Sequence, residues 1–228
     1  MSLLDTNSLS STIDSVNQEL FEGRTLSLAE RTGIARWIAG LRGRPGAYAG
    51  MFAPTEFDHS SDVKTFTGER LVSRARTRHV LGEEACRMLI LLDSPDQSVK
   101  EALKLATSSM VKRLAESETE GRVQGLFCCG TCSAAYWRHT AAGGLDRNEE
   151  RLTAAIRVLS EHRAGDCHWR RFPFYYTVLA LSGMDFNPAV EEMRYAAPAL
   201  ERCLRQTTGE DMYSVRRRRL AEKVLAKC

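Results

Sequence analysis

The stretch SPDQSVKEALKLATSSMVKRL, residues 94–114, decides the fold class. A serine hydroxyl precedes a proline suited to the first helical position, and Val99, Leu103, Ala106, Met110 and Leu114 then trace one apolar stripe at helical spacing. The same signals recur outward in both directions. Ser27 with Glu30 has the S-x-x-E form of a capping box, followed by Ile34, Trp37, Ile38 and Leu41. Asp146 with Glu149 opens another helix carrying Leu152, Ile156 and Leu159. Asn187-Pro188 opens one with Val190, Met193, Ala197, Leu200 and Leu204, which Pro198 should bend by removing a backbone donor. Residues 10–22, 73–92, 131–142, 172–183 and 211–226 also read as helical. Alternating apolar runs joined by hairpin turns are nearly absent, so the chain is predicted to be all-α.

The chain has 228 residues, 43% hydrophobic and 27% charged, with 32 basic and 29 acidic side chains, a composition that excludes a disordered or collagen-like polymer. It predicts a single all-helical domain over residues 1–228. One long irregular loop, residues 47–72, interrupts the pattern with three phenylalanines and no sustained period. Long loops of this kind either carry function or pack on their own aromatics. Residues 1–20 are polar and interrupted, unlike a secretory signal, and no apolar run approaches the roughly 20 residues of a membrane span. A cytoplasmic location is expected. Seven cysteines, three of them crowded at Cys128, Cys129 and Cys132, read as thiols or ligands rather than as a disulfide scaffold.

Three stretches share a layout in which a helix ends in a Gly-containing loop bearing an aromatic and a second helix follows: Gly46-Ala47-Tyr48, Gly125-Leu126-Phe127 and Gly165 to Trp169. The unit is a helical hairpin, which buries its faces only by stacking on neighbours. The third stretch, Gly165-Asp166-Cys167-His168-Trp169 followed by Phe174, Tyr176-Thr177 and Leu179-Ala180-Leu181, resembles the repeat of the prenyltransferase and terpenoid-cyclase α/α-toroid superfamily. In that repeat a G-x-W loop precedes a helix of the form Y-x-T-x-x-A-L; here the tyrosine and threonine are adjacent. The resemblance implies tandem helical hairpins forming a partial α/α toroid or an α-solenoid. A closed barrel of six hairpins needs about twelve helices, and this chain supplies about nine at the usual ~11 residues each. The superfamily's chemistry does not carry over, because no D-x-D-D acid is present and the Asp, Cys and His ligands of the zinc prenyltransferases find no matching positions.

Chemistry-bearing residues gather in two places. Phe127-Cys128-Cys129-Gly130-Thr131-Cys132 contains a C-x-x-C at the entry to a helix, where free backbone N–H groups and the positive end of the helix dipole stabilise a thiolate. Cys129 and Cys132 are therefore candidate catalytic thiols, with Cys128 as a helper. They are also candidate zinc ligands with Cys167, or with His168 in the same loop. His139 lies about 10 Å along the helix from Cys132, too far for a fourth ligand. The same small thiols equally suit a tight helix contact. The second place is Trp169-Arg170-Arg171-Phe172-Pro173-Phe174-Tyr175-Tyr176, where arginine beside aromatics suits a planar or anionic ligand, or the aromatics form the core and the arginines solvate the loop. His59, His79 and His162 read as surface or core residues.

The favoured expectation is a helical-repeat binding protein. Trp137, Trp169, Arg170 and Tyr176 would line a concavity for a small molecule or a protein segment. The alternative is a thiol- or metal-dependent enzyme centred on Cys129 and Cys132. A third reading, nucleic-acid binding through Arg216 to Arg219 and the Arg70, Arg74, Arg76 and Arg78 set, is disfavoured, since four successive arginines point all round a helix axis and the net charge is only +3.

Overall fold

Caps set the helix boundaries. Ser27 Oγ accepts from the Glu30 backbone N–H while the Glu30 carboxylate accepts from the Ser27 N–H, the reciprocal box read from the sequence. The computed structural model describes residues 3–206 and 208–228, so Met1 and Ser2 of the polar amino-terminal stretch, and Thr207, lie outside it. The helices are α1 (Leu9–Phe21), α2 (Leu28–Ala39), α3 (Glu56–Ser60), α4 (Arg74–Leu92), α5 (Gln97–Thr119), α6 (Gly130–Ala141), α7 (Asn148–Glu161), α8 (Phe174–Ser182), α9 (Asn187–Gln206) and α10 (Met212–Leu225). Among the described residues there are no strands, only isolated bridges, and the fold is all-α. No helix among them is long and apolar enough to cross a membrane.

Two starts differ from the sequence reading. The Ser94 hydroxyl accepts from the Asp96 N–H, and Asp96 itself caps α5 by accepting from Ser98 N, which places the helix two residues later. Asp146 does not cap α7; its carboxylate instead takes two hydrogen bonds from the Arg151 guanidinium. The helix opened by Asn187 continues through Pro198 to Gln206.

α1, α4, α6, α8 and α10 form a series in which each packs on the next and all run the same way. Residues that meet advance together along both partners. Asn17 of α1 accepts from Arg87 of α4 at 2.8 Å, and Ser10 and Ile13 lie with Val80 and Leu81. Tyr175 and Ser182 of α8 meet Arg217 and Lys227 at the α10 end. The last helix reaches the first: Arg216 of α10 makes a bidentate pair with Asp14 of α1, both bonds at 2.7 Å, and also donates to Gln18. The four C-terminal arginines thus have separate internal partners, with Arg217 donating to Thr67 O, Arg218 to Gly209 O and Arg219 to Glu22. α5, α7 and α9 return the chain between members of the series, and one apolar cluster takes residues from every helix except α3.

The 47–72 loop, expected to be irregular, holds a 3-10 turn at Tyr48–Gly50 and the short α3. It works as a capping segment. Buried Asp58 accepts from Leu9 N, Ser10 N and the hydroxyls of Ser8 and Ser10 at the start of α1, and from Thr55 N and Oγ1 of its own turn. Glu69 accepts from the Tyr176 N–H in the first turn of α8. Carboxylates at helix amino termini satisfy orphan N–H groups and complement the dipole. Asp58→Asn replaces two acceptor oxygens by one and turns a donor towards donors, so it should cost about 2–4 kcal/mol in urea unfolding; a loss below about 0.5 kcal/mol contradicts this role.

Candidate functional site

Adjacent carboxylates on α4, Glu83 and Glu84, are buried against α6 and α8. Glu84 accepts from Arg138 Nε at 2.6 Å and from the Tyr176 hydroxyl at 2.6 Å, and Arg87 approaches at 3.4 Å. Burial pushes its pKa up, but the guanidiniums of Arg138 and Arg87 outweigh that and hold it at about 2. Glu83 lies 2.6 Å from His139 Nδ1 through one oxygen and 3.3 Å from His79 Nε2 through the other. Burial again opposes ionisation, and the two imidazoles prevail, lowering the Glu83 pKa.

His79 leads from this carboxylate to the thiols. Its ring is 1% exposed, stacked on Tyr48 with centroids 4.2 Å apart and edge-on to Phe127 at 5.0 Å. Neither ring nitrogen makes a hydrogen bond of good geometry. A ligand atom of His79 and the sulfurs of Cys128 and Cys132 all lie within 4.8 Å of one another. Burial lowers the His79 pKa, and the Cys128 thiol and Glu83 carboxylate beside it more than offset this, leaving it raised.

The thiol loop is held by close packing. Cys128 is exposed and takes a left-handed conformation with φ 65°. Cys129 occupies the N-cap position of α6 without a side-chain capping bond, and Ser133 Oγ clamps the turn by accepting from Phe127 N and donating to Phe127 O. A Cβ on Gly130 would stand 2.1 Å from Arg171 O, and one on Gly125 2.5 Å from the Ala154 backbone, so both positions need glycine for close approach. The Cys132 thiol beside it, helped against burial by the Cys132 and Thr131 N–H groups and by Arg76, brings the Cys129 pKa down to about 4. Cys132 moves the opposite way, raised by its hydrogen bond to Cys129 and by burial. For Cys128 the neighbouring His79 is the largest influence and lowers the pKa against burial.

Cys129 and Cys132 are thus in contact, but the three-donor group consists of His79, Cys128 and Cys132, and of the expected ligands neither Cys129 nor Cys167, on the 163–169 loop, belongs to it among the described residues. The aromatic and basic residues face different surroundings. Trp137 is fully buried, donates to Gly125 O at 2.7 Å and stacks on Phe172. Trp169 is buried and donates to Glu192, Tyr176 donates to Glu84, and Arg170 is exposed. The residue missed by sequence reasoning is His79. Its signal was an i,i+4 spacing from Glu83 on a helix of mixed charged and apolar residues, which reads equally as packing.

A scan against protein-family models gives no match, and searches of curated proteins and of solved structures give none either.

Glu84→Gln leaves Arg87 and Arg138 buried without their anion, which should destabilise the protein by about 3–5 kcal/mol at neutral pH. Because the folded pKa is depressed from 4.5 to about 2, the stability from Glu84 is present above 4.5 and lost as pH falls towards 2. The gap between wild type and Glu84→Gln in urea unfolding should therefore close over that interval; a gap independent of pH contradicts the pairing.

Proposed function

We propose that the chain carries a soft-metal centre suited to zinc, with His79, Cys128 and Cys132 as ligands and one open, solvent-facing position. One observation carries the reading: three donors from α4 and the start of α6 converge within 4.8 Å, and the imidazole among them is buried with no hydrogen bond of good geometry. A buried polar ring left unsatisfied costs free energy that an acceptor of its lone pair would recover. Two thiolates and an imidazole are a donor set that zinc favours, and three protein ligands with an open position mark catalytic rather than structural sites.

The surrounding residues support it. Glu83 beside His79 is the carboxylate partner that fixes a ligating imidazole; with Nε2–H towards Glu83, Nδ1 is the donor. His139 in turn orients Glu83. His79 lowers the Cys128 pKa, which favours its thiolate form, and the exposure of Cys128 leaves one side of the centre accessible. A bound zinc ion would supply Lewis acidity and lower the pKa of a coordinated water. The expected partial toroid suits this site, because the parallel series α1, α4, α6, α8 and α10 brings one helix end of each to the same side.

Equilibrium dialysis tests the centre. One zinc per chain is expected, retained in Cys129→Ser and Cys167→Ser and weakened at least about a hundredfold in His79→Asn or Cys132→Ala, the scale of losing one coordinate bond. Undiminished zinc in Cys132→Ala refutes the ligand set. A chain that binds no zinc but loses two thiols to glutathione disulfide would instead support a Cys129–Cys132 dithiol pair. That second reading is favoured by the contact between the low-pKa Cys129 and the high-pKa Cys132.

A further inference from the structure

Near the opposite end of α6 from the thiols, a cavity of about 460 Å³ opens where the carboxyl-terminal parts of the parallel series meet. Its cationic wall comes from three helices or their ends: Arg87 of α4, Arg138 of α6, and Lys223 and Lys227 of α10 and its end. None of the residues lining it is acidic. Among the described residues, Glu84 is the one carboxylate paired with any of these four cations, so four positive charges against one negative leave an excess of three. The rest of the wall is largely apolar, with Leu20, Phe21, Phe66 and Leu179.

The lysines are held but not neutralised. Lys223 Nζ donates to Phe21 O and lies over the Phe21 ring, and Lys227 Nζ donates to Ser182 O at 2.9 Å. Each partner is a neutral carbonyl at a helix end, and an ammonium group keeps two further donors. The guanidiniums are fixed in the floor, because Arg138 is held by Glu84 and Arg87 by Glu84 and Asn17. The Arg87 pKa, pushed down to about 10 by burial and then by Arg138, agrees with cationic charge in excess of its counter-charge.

We propose that this cavity binds an amphipathic organic anion, its phosphate or carboxylate head between the two arginines and the two lysines and its hydrocarbon body against Phe66 and Leu179. The chemistry is that of converging charge-assisted donors with apolar surface beside them. This site is independent of the thiol centre and survives the loss of that reading.

Isothermal titration calorimetry with octyl phosphate, octanol and inorganic phosphate tests it. Octyl phosphate should bind saturably at one site, octanol should not, and inorganic phosphate should bind at least about tenfold more weakly, since it lacks the apolar contribution. The Lys223→Met/Lys227→Met variant changes two exposed rim residues; it should keep the wild-type circular dichroism and bind octyl phosphate at least about tenfold more weakly. In the wild type, affinity should also fall with added salt, a readout that needs no variant. Equal binding of octanol and octyl phosphate, or affinity unaffected by both salt and loss of the lysines, overturns the proposal.

Discussion

The buried carboxylate pair on α4 is the constraint from which the interior follows. Glu83 is fully buried and Glu84 nearly so, and each ionised group therefore needs compensating partners in the protein. Those partners come from neighbouring elements of the series: Arg138 and His139 from α6 and Tyr176 from α8, with Arg87 of α4 itself reaching Asn17 of α1. Because consecutive residues on a helix diverge by about 100°, Glu83 and Glu84 serve different clients. Glu84 gathers the arginines; Glu83 gathers the histidines. Moving α6 along α4 by one turn would separate both pairs at once, so the polar layer fixes a register that apolar packing alone leaves loose.

The common direction of α1, α4, α6, α8 and α10 gives the two ends of the molecule opposite chemistry. Free N–H groups and the positive dipole end favour anions, and there stand Asp58 at α1, Glu69 at α8 and the Cys129 thiol at α6. Carbonyls at the other end favour cations, and there Lys223 holds Phe21 O and Lys227 holds Ser182 O. The low pKa of the Cys129 thiol and the lysines of the proposed anion cavity follow from this division. Both are extensions of what a helix terminus attracts, made specific by side chains from the neighbouring helix.

Helices were legible in the sequence because their signals are local. The Ser27–Glu30 box and the stripe from Val99 to Leu114 need only a few neighbouring residues to be recognised. What was not legible was contact between distant segments. His79 lies 49 positions before Cys128, and nothing in its own helix distinguishes a ligand from a core residue. The C-x-x-C was visible, while its connection through His79 to Glu83 required the packing of α4 on α6. Trp137 and Trp169 illustrate the converse. Their indoles suggested a cavity wall, yet each N–H is satisfied internally, and a wide aromatic face serves the interior as well as a ligand. The C-terminal arginines, dense in sequence, disperse in space because successive helical residues point around the axis.

Whether His79, Cys128 and Cys132 together hold a soft metal ion can be read from X-ray absorption at the zinc edge of the zinc-loaded protein. Two sulfur neighbours at about 2.3 Å, one imidazole nitrogen at about 2.0–2.1 Å and one further light atom in the open position are expected. A shell of oxygen atoms alone, or one unchanged by His79→Asn, would contradict this ligand set.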